Sequence, residues 1–135
     1  MKAYIAIKYH EDCRNKKLIE GISAALEANE IETTCIIRDV EQWGKVKLTP
    51  KELMEASFQR IDTSDLIIIE LTEKGTGLGI EAGYAYAKQI RIITIAQSGS
   101  DISTTLQGIS DKIFVYERVE ELVNFFATLI GVNGY

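Results

Sequence analysis

Apolar residues in this chain follow two alternating rhythms. Ala3 to Tyr9, Asp65 to Leu71 and Ile90 to Ala96 are short, nearly unbroken apolar runs. That is the mark of strands buried on both faces. Ile31 to Ile37, rich in β-branched residues, and Lys112 to Tyr116 read as two further strands. Between the strands the spacing changes. Leu18, Ile19, Ile22, Ala25 and Leu26 recur near 3.6 residues and predict an amphipathic helix over Asp12 to Glu30. Thr49-Pro50-Lys51-Glu52 supplies an N-cap and a first-turn proline for a helix running to about Asp62. Leu78 to Gln89 reads as a helix whose Ala82, Gly83, Ala85 and Ala87 permit close packing on a sheet. A short helix near Thr104 to Ile109 and a closing helix over Val119 to Ile130 complete the series. Arg38 to Leu48, holding Trp43 and Gly44, and Gln97 to Asp101 are polar loops.

Strands alternating with helices, each strand apolar on both sides, predict a parallel sheet covered on both faces. The expected fold is a single α/β domain over residues 1–135, a flavodoxin-like or Rossmann-like doubly wound sheet of five strands in the order 2-1-3-4-5. Such a sheet reverses its winding between the first and third strands, and ligands bind at the carboxyl ends of strands beside that switch point. The loops expected there are Lys8-Tyr9-His10-Glu11 and Glu70 through Gly79.

Composition narrows the function classes. With 135 residues, 46% of them hydrophobic, 26% charged and one proline, the chain is long and apolar enough to fold around a core. Twenty acids against fifteen bases give a net charge of −5, which disfavours non-specific binding to nucleic acid or to an anionic membrane. No apolar run approaches the roughly 18 residues of a membrane span. The amino terminus turns polar at Lys8, too soon for a signal peptide. Cys13 and Cys35 have no metal or redox spacing. Together these predict a cytoplasmic protein with reduced thiols, and no nucleic-acid or membrane partner.

The candidate chemistry lies in Asp65-Leu-Ile-Ile-Ile-Glu70-Leu-Thr-Glu73-Lys-Gly75-Thr-Gly77-Leu-Gly79-Ile-Glu81-Ala-Gly83-Tyr-Ala85. A strand runs into a glycine loop, and the loop opens a helix expected to carry Glu81 in its first turn. A carboxylate at the positive end of a helix dipole is expected to stay ionised, with glycines giving a ligand access. Gly77-Leu-Gly79-Ile-Glu81-Ala82 formally fits a dinucleotide fingerprint. That fingerprint belongs after the first strand, with an acid ending the next one, whereas here it follows the third and the fourth ends in Ala96. A P-loop fails for want of Gly-Lys-Ser/Thr, and a phosphoacceptor site fails because the first strand ends in Tyr9-His10 and the third in Glu70. Glu70 and Glu81 form a better pair. One ends a strand and the other starts the next helix, so two carboxylates in unlike settings are expected at one crevice. Each also has a plain structural reading, as a dipole-stabilising acid or a strand-end hydrogen-bond acceptor. Tyr4 reads as a core aromatic, His10 as a solvated loop residue, and Cys13 as an inert thiol. Trp43 either lines a pocket or covers the sheet edge.

The strand, glycine loop and Gly77-x-Gly79-x-Glu81-x-Gly83-x-Ala85 resemble the nucleoside 2-deoxyribosyltransferase family, and most closely its 2′-deoxynucleoside 5′-phosphate N-hydrolase branch. Tyr4 in the first strand, and Gln97-Ser98-Gly99 followed by Ser103 and Gly108, extend the resemblance. It implies cleavage or transfer of an N-glycosidic bond with Glu81 as nucleophile and Tyr4 positioning it. Gly75, Gly77 and Gly79 would admit the sugar. Lys8, Tyr9, His10 and Ser98 would meet the 5′ end or its phosphate, and Ser103 would reach the phosphate from a neighbouring subunit. The implied protein is a homodimer or higher homo-oligomer acting on a small nucleoside or nucleotide, without metal or organic cofactor. The chain departs from the family in three places. Ser57 stands where the family carries an aspartate that assists the leaving base, which leaves Glu55, Asp62 and Glu70 as other donors. Lys8-Tyr9-His10-Glu11 replaces a glycine-, serine- and arginine-containing loop. Gly75, next to Thr76, replaces a serine. The alternative reading is a non-catalytic nucleotide-binding or sensing module of the same fold.

Overall fold

A computed structural model describes residues 1–130. Five parallel strands form one sheet: β1 (Lys2–Ile7), β2 (Glu32–Thr34), β3 (Leu66–Glu70), β4 (Arg91–Gln97) and β5 (Lys112–Tyr116). Their order is β2-β1-β3-β4-β5, the doubly wound arrangement expected from the alternation of patterns. In register, Tyr4 of β1 lies beside Thr34 of β2 and Ile67 of β3.

Strand side chains alternate between faces, so register decides which helix layer each one meets. Ala3, Ile5, Leu66, Ile68, Ile93 and Ile95 pack with residues of α1 (Lys16–Glu27) and α6 (Glu121–Ala127). Tyr4, Ala6, Ile67, Ile69 and Ile92 face the opposite way, toward α3 (Pro50–Asp62) and α4 (Thr76–Ala87). Ala82 and Ala85 of α4 are fully buried against this second face, whereas Gly83 and Ala87, also expected to pack closely on the sheet, are exposed. No helix among the described residues is long and apolar enough to cross a membrane.

Several element boundaries differ from the periodicity. The first helix begins at Lys16 rather than Asp12, because Cys13 takes a left-handed backbone (φ 53°) that no α-helix accommodates. The second strand ends at Thr34, and Ile36–Asp39 turns into a short helix, α2. Asp39 closes that turn by accepting the Cys35 amide at 2.9 Å. The helix after the glycine loop starts at Thr76, two residues before Leu78. The last helix starts at Glu121 and ends in a 3₁₀ turn over Thr128–Ile130. A short helix, α5 (Thr104–Ile109), precedes β5 where it was expected.

The start of α3 is built as the sequence indicates. Thr49 Oγ1 accepts the Glu52 amide at 3.2 Å, and Glu52 Oε1 accepts the Thr49 amide at 3.0 Å. This reciprocal cap satisfies two otherwise orphaned donors. Thr49→Ala is expected to lower the unfolding free energy by about 1 kcal/mol, read from the midpoint of a urea titration.

Candidate active site

Beyond the carboxyl ends of β1 and β2, between α3 and the amino end of α4, lies a cavity of about 420 Å³. That is the size range of small-molecule sites. β1 and the loop after it contribute Tyr4 through Tyr9. The chain after β2 contributes Cys35, Ile36, Ile37 and Glu41. α3 presents Leu53, Met54 and Ser57, and α4 presents Gly75 through Leu78 and Glu81. The cavity sits at the switch point where topology places a ligand.

Glu81 is half-buried at the cavity wall, and Tyr4 donates its hydroxyl to Glu81 Oε2. Tyr4 is 2% exposed. Burial, and then the neighbouring carboxylate, hold its phenol far above the usual tyrosine range. Glu81 departs from expectation in one respect. Because α4 starts at Thr76, Glu81 falls in the second turn rather than the first, away from the free amides of the helix end. Burial pushes its carboxyl up to about 7, while hydrogen bonds from Tyr4 and Ser57 pull it down. It therefore titrates near neutrality instead of staying ionised throughout.

The amino end of α4 is open. Gly75 caps it in extended conformation with no side-chain hydrogen bond; the Leu78 amide turns back to the Gly75 carbonyl at 3.1 Å, and the Thr76 and Gly77 amides remain available. A Cβ added at Gly77 would meet no atom within 4 Å, so packing does not require glycine there. The bare backbone faces the cavity. Lys8 Nζ lies 3.8 Å from where a Gly75 Cβ would stand, which brings a cation to the same helix end.

The remaining sequence candidates are dispersed. Glu70 does not share the crevice with Glu81: by strand alternation it points to the α1/α6 face, opposite Tyr4. There it is 2% exposed. Its oxygens are taken by the Thr72 amide at 2.9 Å, the Thr72 hydroxyl at 2.5 Å and the Tyr116 hydroxyl at 2.5 Å. It is a structural tie between strand ends. His10 lies outside the cavity lining, its Nε2 2.6 Å from Glu73 Oε1. Gly79 and Ser98 also lie outside the lining. Ser103 caps α5 by accepting the Leu106 amide at 3.4 Å. Tyr9 is at the rim, 52% exposed. Ser57 is buried in the wall, whereas Glu55 is exposed and Asp62 accepts the Tyr84 hydroxyl at 2.7 Å. Trp43 packs on the α1 face with Lys16 Nζ 4.9 Å from its ring centre, and so covers the sheet edge.

One carboxyl of the cavity lining was missed. Glu41 lies in a stretch with no hydrophobic period, and nothing in its spacing marks it. The early end of β2 brings it to the cavity.

No protein-family model matches the chain, and no curated protein matches it. Solved structures do. The CMP N-glycosidase BcmB of Clostridium botulinum is 19% identical with a TM-score of 0.69, covering 95% of this chain and 99% of its own. The 2-deoxyribosyltransferase of Bacillus psychrosaccharolyticus is 14% identical with a TM-score of 0.73, covering 96% of each chain. BlsM, known from a solution structure, is 17% identical with a TM-score of 0.69, covering 96% of this chain and 88% of its own. The chain has their fold.

The raised carboxyl of Glu81 has a consequence for stability. Its unfolded value is 4.5 and its folded value about 7. Between these the native protein holds more protons than the unfolded chain, so stability falls as pH rises across that window and levels off above it. Glu81→Gln is expected to remove this slope. The variant gains on the order of 2–3 kcal/mol over the parent at pH 8 and nothing at pH 4, read from urea titrations at each pH. Parallel curves for the two proteins would contradict the assignment.

Proposed function

We propose that this protein cleaves or transfers the N-glycosidic bond of a nucleoside or its 5′-monophosphate, with Glu81 as nucleophile. The observation that carries the reading is the Tyr4–Glu81 pair at the wall of a nucleoside-sized cavity. A buried phenol fixes one carboxylate oxygen and so orients the group. Support also comes from the fold, shared end to end with a CMP N-glycosidase and a 2-deoxyribosyltransferase.

In the proposed reaction the Glu81 carboxylate attacks C1′ of the sugar, and the base departs with the electron pair of its bond to C1′. The resulting glycosyl ester is opened by water or by a second base. Lys8 and the open amino end of α4, beside Gly75 and Gly77, suit the sugar's 5′ end or a phosphate there. Tyr9 closes the rim. Ser103, which lies outside this chain's own cavity, is proposed to reach the phosphate of a neighbouring copy in a homo-oligomer. The reaction uses no metal or organic cofactor.

A second reading is a nucleotide-binding module without chemistry. Ser57, a hydroxyl in the wall where the resemblance leads one to expect an acid, favours it. Chromatography of each deoxynucleoside and monophosphate after incubation separates the two, since saturable binding without free base would leave only the second.

Under the catalytic reading, Glu81→Gln and Glu81→Ala abolish base release while circular dichroism stays unchanged. Only ionised Glu81 attacks, so kcat/KM is expected to climb as pH rises through about 7. The Tyr4 hydrogen bond pulls the Glu81 value down, so Tyr4→Phe is expected to move that limb to higher pH as well as slowing turnover.

A further inference from the structure

A nucleobase is a poor leaving group as an anion, so breaking its bond to C1′ at neutral pH calls for a proton donor at the base. The donor must face the same cavity as Glu81. Among the described residues the carboxyl groups lining that cavity are Glu81 and Glu41. Glu81 is committed to C1′. Tyr4 is committed to Glu81, and its phenol is held far above the range useful for proton transfer. Cys35 is a buried thiol pushed up to about 11. Lys8 sits at the α4 end of the cavity, against Gly75.

We propose that Glu41 is the acid that protonates the departing base. This rests on the glycosidic reading above and adds the residue that completes it. Three observations place Glu41 there. It lines the cavity from the chain after β2. Its side chain has no hydrogen-bond or ion-pair partner among the described residues, unlike Glu70, Glu73 and Asp62. The backbone just beyond it is held in an unusual form, with Gln42 at φ 50°, Trp43 at φ 58° and Gly44 at φ 93°. Two successive non-glycine residues in the left-handed region carry strain of the kind that clusters at functional sites. The Glu41 carbonyl anchors the turn by accepting the Gly44 and Val46 amides, each at 3.0 Å.

Burial holds the Glu41 carboxyl above its ordinary value, and Lys47 on the same loop opposes that shift. The other titratable groups facing the cavity are Tyr4, Lys8, Tyr9, Cys35 and Glu81. In the proposed step the C1′–N bond breaks as the Glu81 oxygen bonds to C1′. The electron pair goes to the base, which takes the Glu41 proton. Glu41, now a carboxylate, then accepts a proton from the water that opens the glycosyl ester, and both residues return to their starting states.

The test compares leaving groups in single-turnover base release, with E41Q and E41D beside the parent and E81Q. Ordinary deoxynucleosides or their monophosphates need a proton at the base, whereas 7-methyl-2′-deoxyguanosine and its 5′-phosphate release a base that needs none. E41Q is expected to lose roughly 10²–10⁴-fold on ordinary substrates and under about tenfold on the methylated ones. E41D recovers part of the rate, and E81Q is inactive on both kinds. Equal losses of E41Q on both kinds, or no loss on either, overturn the role of Glu41 and leave the glycosidic reading standing. A parent protein that releases no base from any of these substrates overturns both.

Discussion

Tyr4 and Glu81 are each costly to bury alone, and each offsets part of the other's penalty. A phenol at 2% exposure needs a partner for its hydroxyl, and a carboxylate withdrawn from water needs donors. Their hydrogen bond meets both needs and joins the middle of β1 to the second turn of α4. The two effects on Glu81 oppose each other. Burial raises the carboxyl and the bonds from Tyr4 and Ser57 lower it, leaving a group that titrates near neutrality. A deeper site without these donors would keep it protonated, and an exposed one would leave it without preferred direction.

Glu70 shows the other outcome for a buried carboxylate in the same sheet. It accepts three hydrogen bonds from two residues, and Thr72 passes the connection on by accepting the Gln97 amide at 3.0 Å. With its lone pairs engaged, Glu70 locks the carboxyl ends of β3, β4 and β5 together. Glu81 and Glu41 have fewer partners and face a cavity. Hydrogen-bond saturation and deeper burial together set Glu70 apart from the two carboxyls that face the cavity.

The order of the strands was legible because each is apolar on both faces and each is followed by a helical period. Glu81 was legible because a glycine loop marked its place, whereas Tyr4 reads as a core aromatic on its own and came forward only through the family resemblance. The rest required three dimensions. Whether Glu70 meets Glu81 depends on strand parity relative to Tyr4, which is set by the pairing of Tyr4 with Ile67. The start of α4 at Thr76 moves Glu81 out of the first turn, and glycine-rich ends carry weak boundary signals. Glu41 was hidden because its position follows from the Asp39 cap on the Cys35 amide and from left-handed Gln42 and Trp43. Neither residue type announces that backbone.

The cavity is also polarised along its length, and this bears on how an anionic ligand enters a protein of net charge −5. Long-range attraction is unfavourable, but fields beyond about 8–10 Å are largely screened at physiological salt. What governs binding is therefore the local set. Lys8 and the free amides of α4 stand at one end, and the walls of Ile5, Ile36, Leu53 and Met54 are apolar. Glu41 and Glu81 are the carboxyl groups among the lining residues, and burial raises both. Each proton they retain removes a negative charge from the approach of a phosphate. The same burial that raises these two carboxyls thus lowers the electrostatic barrier to the substrate proposed for the cavity.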